Sequence, residues 1–268
     1  MLWNAKNGRV AIGDTYMHYA CFGRGRKALV VLPGLSDGLT TVEGKALLLA
    51  QPFAKLLKEY TVYMFSRKDA MPDGYSIRDM AADQAAVLTA LGIEEASVMG
   101  VSQGGMIAQY LAIDYPDIVQ QLVLAVTAPA VNATIRGAVS GWLEMAEKGD
   151  HKQLMIDTAE KGYSEKYLRK YRKYYPLLGR LGRPDNYRRF FINARAILGF
   201  DASDELCRID CPVFIIGGAD DRTVGADAAP ELHRLLPHSR LHIYEGLGHA
   251  AYEEAGDFYD RVLAFLSE

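Results

Sequence analysis

A serine set between glycines at the end of an apolar strand can serve as a nucleophile, and this chain offers two. Ala96-Ser97-Val98-Met99-Gly100-Val101-Ser102-Gln103-Gly104-Gly105 carries a short apolar strand into a Gly-x-Ser-x-Gly turn, and Met106, Ile107, Tyr110, Leu111 and Ile113 continue as a helix. Glycines around the serine admit the tight backbone that leaves its hydroxyl exposed. The helix that follows aims unpaired N–H groups and its positive dipole end at that hydroxyl, where an oxyanion would develop. Gly34-Leu35-Ser36-Asp37-Gly38 has the same spacing and follows the apolar run Ala28 to Leu32. There, however, Pro33 breaks the strand and no helical pattern starts within the glycines. Context therefore favours Ser102 over Ser36.

A serine hydroxyl is a poor nucleophile at neutral pH and needs a base, commonly a histidine oriented by a carboxylate. Of the six histidines, His249 stands in Gly246-Leu247-Gly248-His249, a glycine-flanked loop just after a predicted strand. His242 falls inside that strand, and His233 and His238 flank the end of a surface helix. His151 opens a helix and His18 lies in an N-terminal strand. The carboxylate candidates sit in Gly217-Gly218-Ala219-Asp220-Asp221-Arg222, directly after the apolar strand ending at Ile216. The end of such a strand is where an open α/β sheet gathers its functional groups. Asp221 is favoured, with Asp220 turning or capping the loop and standing as the alternative. Two N–H donors are needed for the oxyanion: Gln103, next to the nucleophile, and Leu35 in the loop Leu32-Pro33-Gly34-Leu35-Ser36.

The elements that must hold these groups alternate between strand and helix. Predicted strands are Thr15–Cys21, Ala28–Leu32, Thr61–Phe65, Ser97–Gly100, Leu122–Val126, Pro212–Ile216 and Arg240–Tyr244. Most are short, apolar and β-branched, as in strands covered by helices on both faces. Helical patterns fall at Gln51–Lys58, Ile77–Leu91, Gln103–Asp114 and Phe258–Leu266. Ser76-Ile77-Arg78-Asp79 has the spacing of a capping box, and Pro116 closes the third helix. From about Ala130 to Leu198 the alternation stops and helical patterns run throughout, so a parallel-sheet core with one helical insertion fits best.

At 268 residues, with a net charge of −3, the chain has the size of one α/β domain and lacks the basic excess of a dedicated nucleic-acid binder. No apolar run reaches membrane-spanning length, and the first residues lack a signal-peptide core. Cys21, Cys207 and Cys211 are too few for a disulfide framework, which points to a reducing cytoplasm, and they read as ordinary thiols rather than a metal pair. Residues 131–199 hold 14 Lys and Arg against 7 Asp and Glu. Within them, Tyr167, Tyr171 and Tyr174 recur at helical spacing among basic residues. An ordinary helix with a solvated basic face is the plainer reading. The alternative is a lid with an aromatic inner wall and some attraction for anionic substrates.

The order Ser102, Asp221, His249, the turn Gly-Val-Ser-Gln-Gly-Gly, the Pro-Gly loop and the Gly-x-Gly-His segment together resemble the α/β-hydrolase superfamily. The resemblance spans nearly the whole chain, and Tyr75 to Leu124 is similar to lidded, single-domain bacterial members. It implies the α/β-hydrolase fold: an eight-stranded, mostly parallel sheet flanked by helices, with a helical cap inserted after the sixth strand. Residues 1–129 and 199–268 would then form the core and 130–198 the cap over Ser102. Two segments depart from the family pattern. Pro33-Gly34 stands where His-Gly is common, and Ser66-Arg67-Lys68-Asp69 where Asp-x-Arg-Gly is. The expected activity is a carboxylesterase-like serine hydrolase acting on a small carboxylic ester or related acyl compound through an acyl-enzyme on Ser102. A thioester, a lactone or a carbon–carbon bond in a diketone are alternative electrophiles for the same triad. A binding protein that keeps the triad without turnover, or an interaction protein docking through its basic segment, are the readings from other classes. Serine at the elbow argues against the branches that use aspartate there. No cofactor, metal, nucleic-acid or membrane partner is expected, and the oligomeric state stays open.

Overall fold

Strands that are apolar on both faces must lie between two layers, and the order of this chain builds that arrangement. The computed structural model describes residues 2–179 and 182–268. Its strands are β1 (Lys6–Ile12), β2 (Thr15–Gly23), β3 (Lys27–Leu32), β4 (Tyr60–Lys68), β5 (Ala96–Val101), β6 (Val119–Ala125), β7 (Val213–Gly218) and β8 (Arg240–Tyr244). They form one sheet in the order β1-β2-β4-β3-β5-β6-β7-β8. β1 and β2 pair antiparallel, as do β2 and β4, and every later pairing is parallel. Alternate residues feed two cores. Val30, Val98, Leu122 and Ile215 face one; Leu29, Val31, Met99, Val123 and Ile216 face the other.

Helices α1 (Ala46–Ala50), α2 (Ile77–Ala90), α3 (Gln103–Asp114), α9 (Ala228–Leu235), α10 (Ala251–Glu254) and α11 (Phe258–Leu266) flank the sheet. The Ser76 capping box starts α2, its hydroxyl accepting from the Asp79 N–H while the Asp79 carboxylate accepts from the Ser76 N–H. Between β6 and β7 run α4 (Ala133–Glu147), α5 (His151–Gly162), α6 (Glu165–Tyr171), α7 (Tyr175–Leu178) and α8 (Arg188–Leu198). Arg180 and Leu181, within that expected helical stretch, lie outside the described residues. Two expectations need correction. The helix expected over Gln51–Lys58 is instead α1 followed by one 3-10 turn at Gln51–Phe53, where Pro52 opens the tighter turn. β1 carried too little apolar alternation to be read as a strand; it is an edge strand whose residues stay largely exposed.

Chain order places the site. After β3 the sheet grows outward to β4, then the chain crosses back to lay β5 on the other side of β3. That reversal opens a crevice at the carboxyl ends of β3 and β5, the place where open α/β sheets receive ligands. Leu32 pairs with Gly100, so the Pro33–Leu35 turn and Ser102 emerge side by side. A Cβ on Gly104 would lie 1.9 Å from the Leu32 carbonyl oxygen, whereas one on Gly141, inside α4, would meet nothing within 4 Å. Gly104→Ala is therefore expected to yield little folded protein. Gly141→Ala should raise the urea midpoint through a gain of about 1 kcal/mol in helix propensity. A Gly104→Ala protein with wild-type stability would show that the contact between β3 and α3 is slack.

Candidate active site

Ser102 joins β5 to α3 with φ 55° and ψ −120°, a conformation rarely adopted by a residue with a side chain. The neighbours enforce it. A Cβ on Gly100 would stand 2.4 Å from the Gly104 carbonyl oxygen, and one on Gly105 would stand 2.6 Å from the Thr127 side chain. The Ser102 N–H donates to the Ala125 carbonyl at 2.9 Å, and its carbonyl accepts from the Gly105 N–H and the Thr127 hydroxyl, each at 2.8 Å. Val126, with φ 46°, makes the turn that brings Thr127 there.

His249 lies in the loop after β8 and Asp221 in the loop after β7, both at the carboxyl edge of the sheet. His249 Nε2 is 2.9 Å from Ser102 Oγ, and His249 Nδ1 is 2.8 Å from Asp221 Oδ2. Asp221 is 5% exposed, and its Oδ1 accepts the N–H groups of Thr223 at 2.8 Å and Val224 at 2.9 Å. Both carboxylate oxygens are thus committed, one to the loop and one to the histidine. Such bonding fixes the direction of the carboxylate. Asp220 is exposed, and its backbone N–H instead donates to the Leu247 carbonyl, tying the Asp221 loop to the His249 loop. The structure brings together Ser102, His249 and Asp221. Ser36 lines the same cavity without a bond to His249 among the described residues.

Of the two expected N–H donors, Gln103 directly follows the serine and Leu35 lines the same cavity. Gln103 is the first residue of α3, so its N–H has no acceptor within its own helix. Leu35 opens a 3-10 turn, Leu35–Gly38, with no side-chain cap. A Cβ on Gly34 would lie 3.3 Å from Ser102 Cβ, which measures how tightly this turn packs against Ser102. Hydrogen bonds to the Ser102 and Gly34 carbonyls, the latter from the Asp37 N–H, polarise the peptides that carry the Gln103 and Leu35 N–H groups.

Behind this turn lies a buried ionic network that sequence reading missed. Arg67, 2% exposed, donates to the Pro33 carbonyl at 2.6 Å and to Gln103 Oε1 at 3.0 Å. Its own N–H donates to Asp37 Oδ2 at 2.9 Å, and Arg189 of α8 donates to the same oxygen at 2.7 Å. Gln103 Nε2 reaches the Asn193 carbonyl of α8 at 2.9 Å. Burial lowers the Arg67 pKa to about 10, opposed by Asp37 and reinforced by Arg189, so the guanidinium stays charged at neutral pH. A charged residue closing the apolar run of β4 was the one sequence signal available.

A cavity of about 350 Å³ opens onto Ser102 and His249, walled by Trp142, Leu154, Met155, Phe190 and Val139 among others. A larger hollow of about 570 Å³ lies at the amino ends of β3, β5 and β6, remote from these groups, and has none of this chemistry. The tyrosines at helical spacing do stack: Tyr163 on Tyr167 with centroids 4.4 Å apart, Tyr167 on Tyr171 at 4.2 Å. Only Tyr163 of that ladder lines the cavity, and no Lys or Arg among the described residues does. The basic face is solvated or paired with Glu160 and Glu165, as the plainer reading had it.

Comparison with known proteins agrees with this architecture. A family model described as alpha/beta hydrolase fold matches residues 27–256. RutD of Escherichia coli O9:H4 (strain HS), which bears the name carbamate hydrolase, is 31% identical over 216 residues, covering 74% of this chain and 77% of RutD. MGS-M2, an alpha/beta hydrolase enzyme from a Medee basin deep-sea metagenome library, superposes with a TM-score of 0.84 at 19% identity, covering 97% of this chain and 98% of its own. The enol-lactonase of Burkholderia xenovorans LB400 gives 0.81 at 19% identity, covering 97% and 100%. The two structural likenesses speak to fold.

Removing Asp37 would strand two arginines with no carboxylate between them. Asp37→Ala is expected to cost about 3–5 kcal/mol in urea unfolding. Asp260→Ala, which breaks the exposed pair with Lys55, should leave the midpoint almost unmoved. Equal effects from the two would show that the Arg67 network contributes no more than a surface ion pair.

Proposed function

The chain belongs to the alpha/beta hydrolase family, and from that premise we propose a serine hydrolase that cleaves a small carboxylic ester or related acyl compound. The observation that carries this reading is the unbroken line of hydrogen bonds from Ser102 through His249 to Asp221, opening onto an apolar cavity. Ser102 Oγ attacks the carbonyl carbon while His249 Nε2 takes its proton, and Asp221 holds the imidazole in the tautomer that can accept it. The Leu35 and Gln103 N–H groups receive the tetrahedral oxyanion. His249 returns the proton to the departing alcohol oxygen as the carbon–oxygen bond breaks, leaving an acyl group on Ser102. A water, deprotonated by His249, then releases the acid. None of these steps calls on a metal or organic cofactor.

Helices α4 to α8 act in this reading as a cap, residues 130–198, on a core of residues 1–129 and 199–268. Trp142, Leu154 and Phe190 from the cap supply the apolar wall against which the substrate packs. The same triad suits a lactone or a carbamate, the groups named for the enol-lactonase and for RutD. A small-molecule binding protein without turnover is disfavoured because every member of the relay is in bonding contact with the next. No helix among the described residues is long and apolar enough to cross a membrane. Three unpaired thiols suit a reducing compartment, and the cytoplasm is the proposed setting.

Hydrolysis of p-nitrophenyl butyrate by paired variants tests the reading. Asp221→Asn should lower kcat by about 10⁴-fold, because the wrong imidazole tautomer is then held. Asp220→Asn should stay within about two-fold of wild type, since that side chain faces solvent. Similar losses in both, or a larger loss at Asp220, would move the carboxylate role away from Asp221.

A further inference from the structure

Among the described residues that line the cavity beside Ser102, one bears a formal charge outside the relay, and it is exposed. Glu253, on α10, lines it together with Tyr163 and Tyr252. Its neighbour Glu254 is spent on structure, accepting from the Ser164 N–H at 2.8 Å and from the Ser164 hydroxyl. Glu253 instead accepts the Tyr163 hydroxyl, and among the described residues no Lys or Arg forms an ion pair with it. Burial, then the Glu253 charge, pushes the Tyr163 hydroxyl far up, so it stays a donor to the carboxylate. Two arginines of the basic segment are spent elsewhere. Arg172 is bound to Glu160 and Glu165, and Arg169 to Glu165.

Position fixes which half of a substrate meets this charge. His249 must reach the leaving oxygen to return its proton, so the alcohol portion of an ester lies on the His249 side of the scissile carbon. The Ala250 N–H donates to the Gly162 carbonyl at 2.9 Å, which holds the His249 loop against the backbone of Tyr163, the partner of Glu253. The alcohol portion therefore faces the carboxylate and its two tyrosines. Resting on the serine-hydrolase reading above, we infer that Glu253 is a specificity-determining residue. It selects esters whose alcohol portion is cationic, as in an alkylammonium, over neutral ones, and rejects those that carry a carboxylate there. A carboxylate flanked by aromatic rings attracts a cation by both charge and ring quadrupole, and repels an anion by the same charge.

Three butyrate esters with one acyl group test this: those of choline, of its neutral carbon isostere, and of a hydroxycarboxylate of the same length. Acid release is followed by pH-stat for the wild type and for Glu253→Gln, which keeps an acceptor for the Tyr163 hydroxyl. In the wild type, kcat/KM should fall about 5- to 10-fold at each step from cationic to neutral to anionic, the size of a partly screened charge pair. In Glu253→Gln both ratios should fall to near one. Ratios within each protein cancel any general loss of activity in the variant. Turnover of the neutral ester with no charge preference, or a preference that survives in Glu253→Gln, would overturn the role of Glu253 alone. Absence of turnover with all three esters and with p-nitrophenyl butyrate would overturn the serine-hydrolase reading, and this inference with it.

Discussion

The left-handed backbone of Ser102 is the constraint on which the rest of the site depends. A serine in that conformation is disfavoured by on the order of 1–3 kcal/mol, and it persists only where its surroundings permit nothing else. Here β5 arrives against β3, α3 leaves at once, and the space between them is so small that Gly100, Gly104 and Gly105 admit no Cβ. The same crowding brings the Pro33–Leu35 turn to the serine and leaves the first N–H of α3 free beside it. One strained residue thus sets its hydroxyl beside the start of α3 and the Pro33–Leu35 turn.

That geometry has to be held, and a buried ionic network holds it. Arg67 grips the Pro33 carbonyl and the Gln103 side chain together, linking the Pro33–Leu35 turn to the start of α3. Asp37 binds Arg67 and Arg189, and Arg189 also donates to the Asp37, Lys68 and Arg67 carbonyls. Burying charges is costly unless each is paired and hydrogen-bonded, so the network stabilises one arrangement strongly and tolerates few others. Because Arg189 and Asn193 belong to α8, the helices between β6 and β7 are anchored at the floor of the site. The cavity wall and the Ser102 turn are parts of one packed unit.

Local signals in the sequence pointed to side chains that the structure brings together, and non-local ones carried little. Gly-x-Ser-x-Gly before a helix and Gly-x-Gly-His after a strand are backbone demands written into a few adjacent residues, so Ser102 and His249 were legible. Asp221 could be separated from Asp220 only by preference, because adjacent residues in a loop point in different directions that spacing does not record. The Arg67–Asp37–Arg189 network joins residues 30 and 152 positions apart, and no pattern along the chain announces such partners. Glu253 and Glu254 are alike in sequence; only the Ser164 contact shows which one is used and which faces the cavity. β1 was missed for a related reason. As an exposed edge strand with Gly8 opposite Tyr19, it buries too little to show the period of a strand.

The central claim is that Ser102 is the activated nucleophile of this molecule. Treating the folded protein with a fluorophosphonate probe and locating the adduct by peptide mass spectrometry tests it most directly. The expected result is a single adduct on Ser102 that disappears in His249→Ala, since the hydroxyl then lacks its base. An adduct on Ser36, or no adduct on folded protein, would contradict the claim.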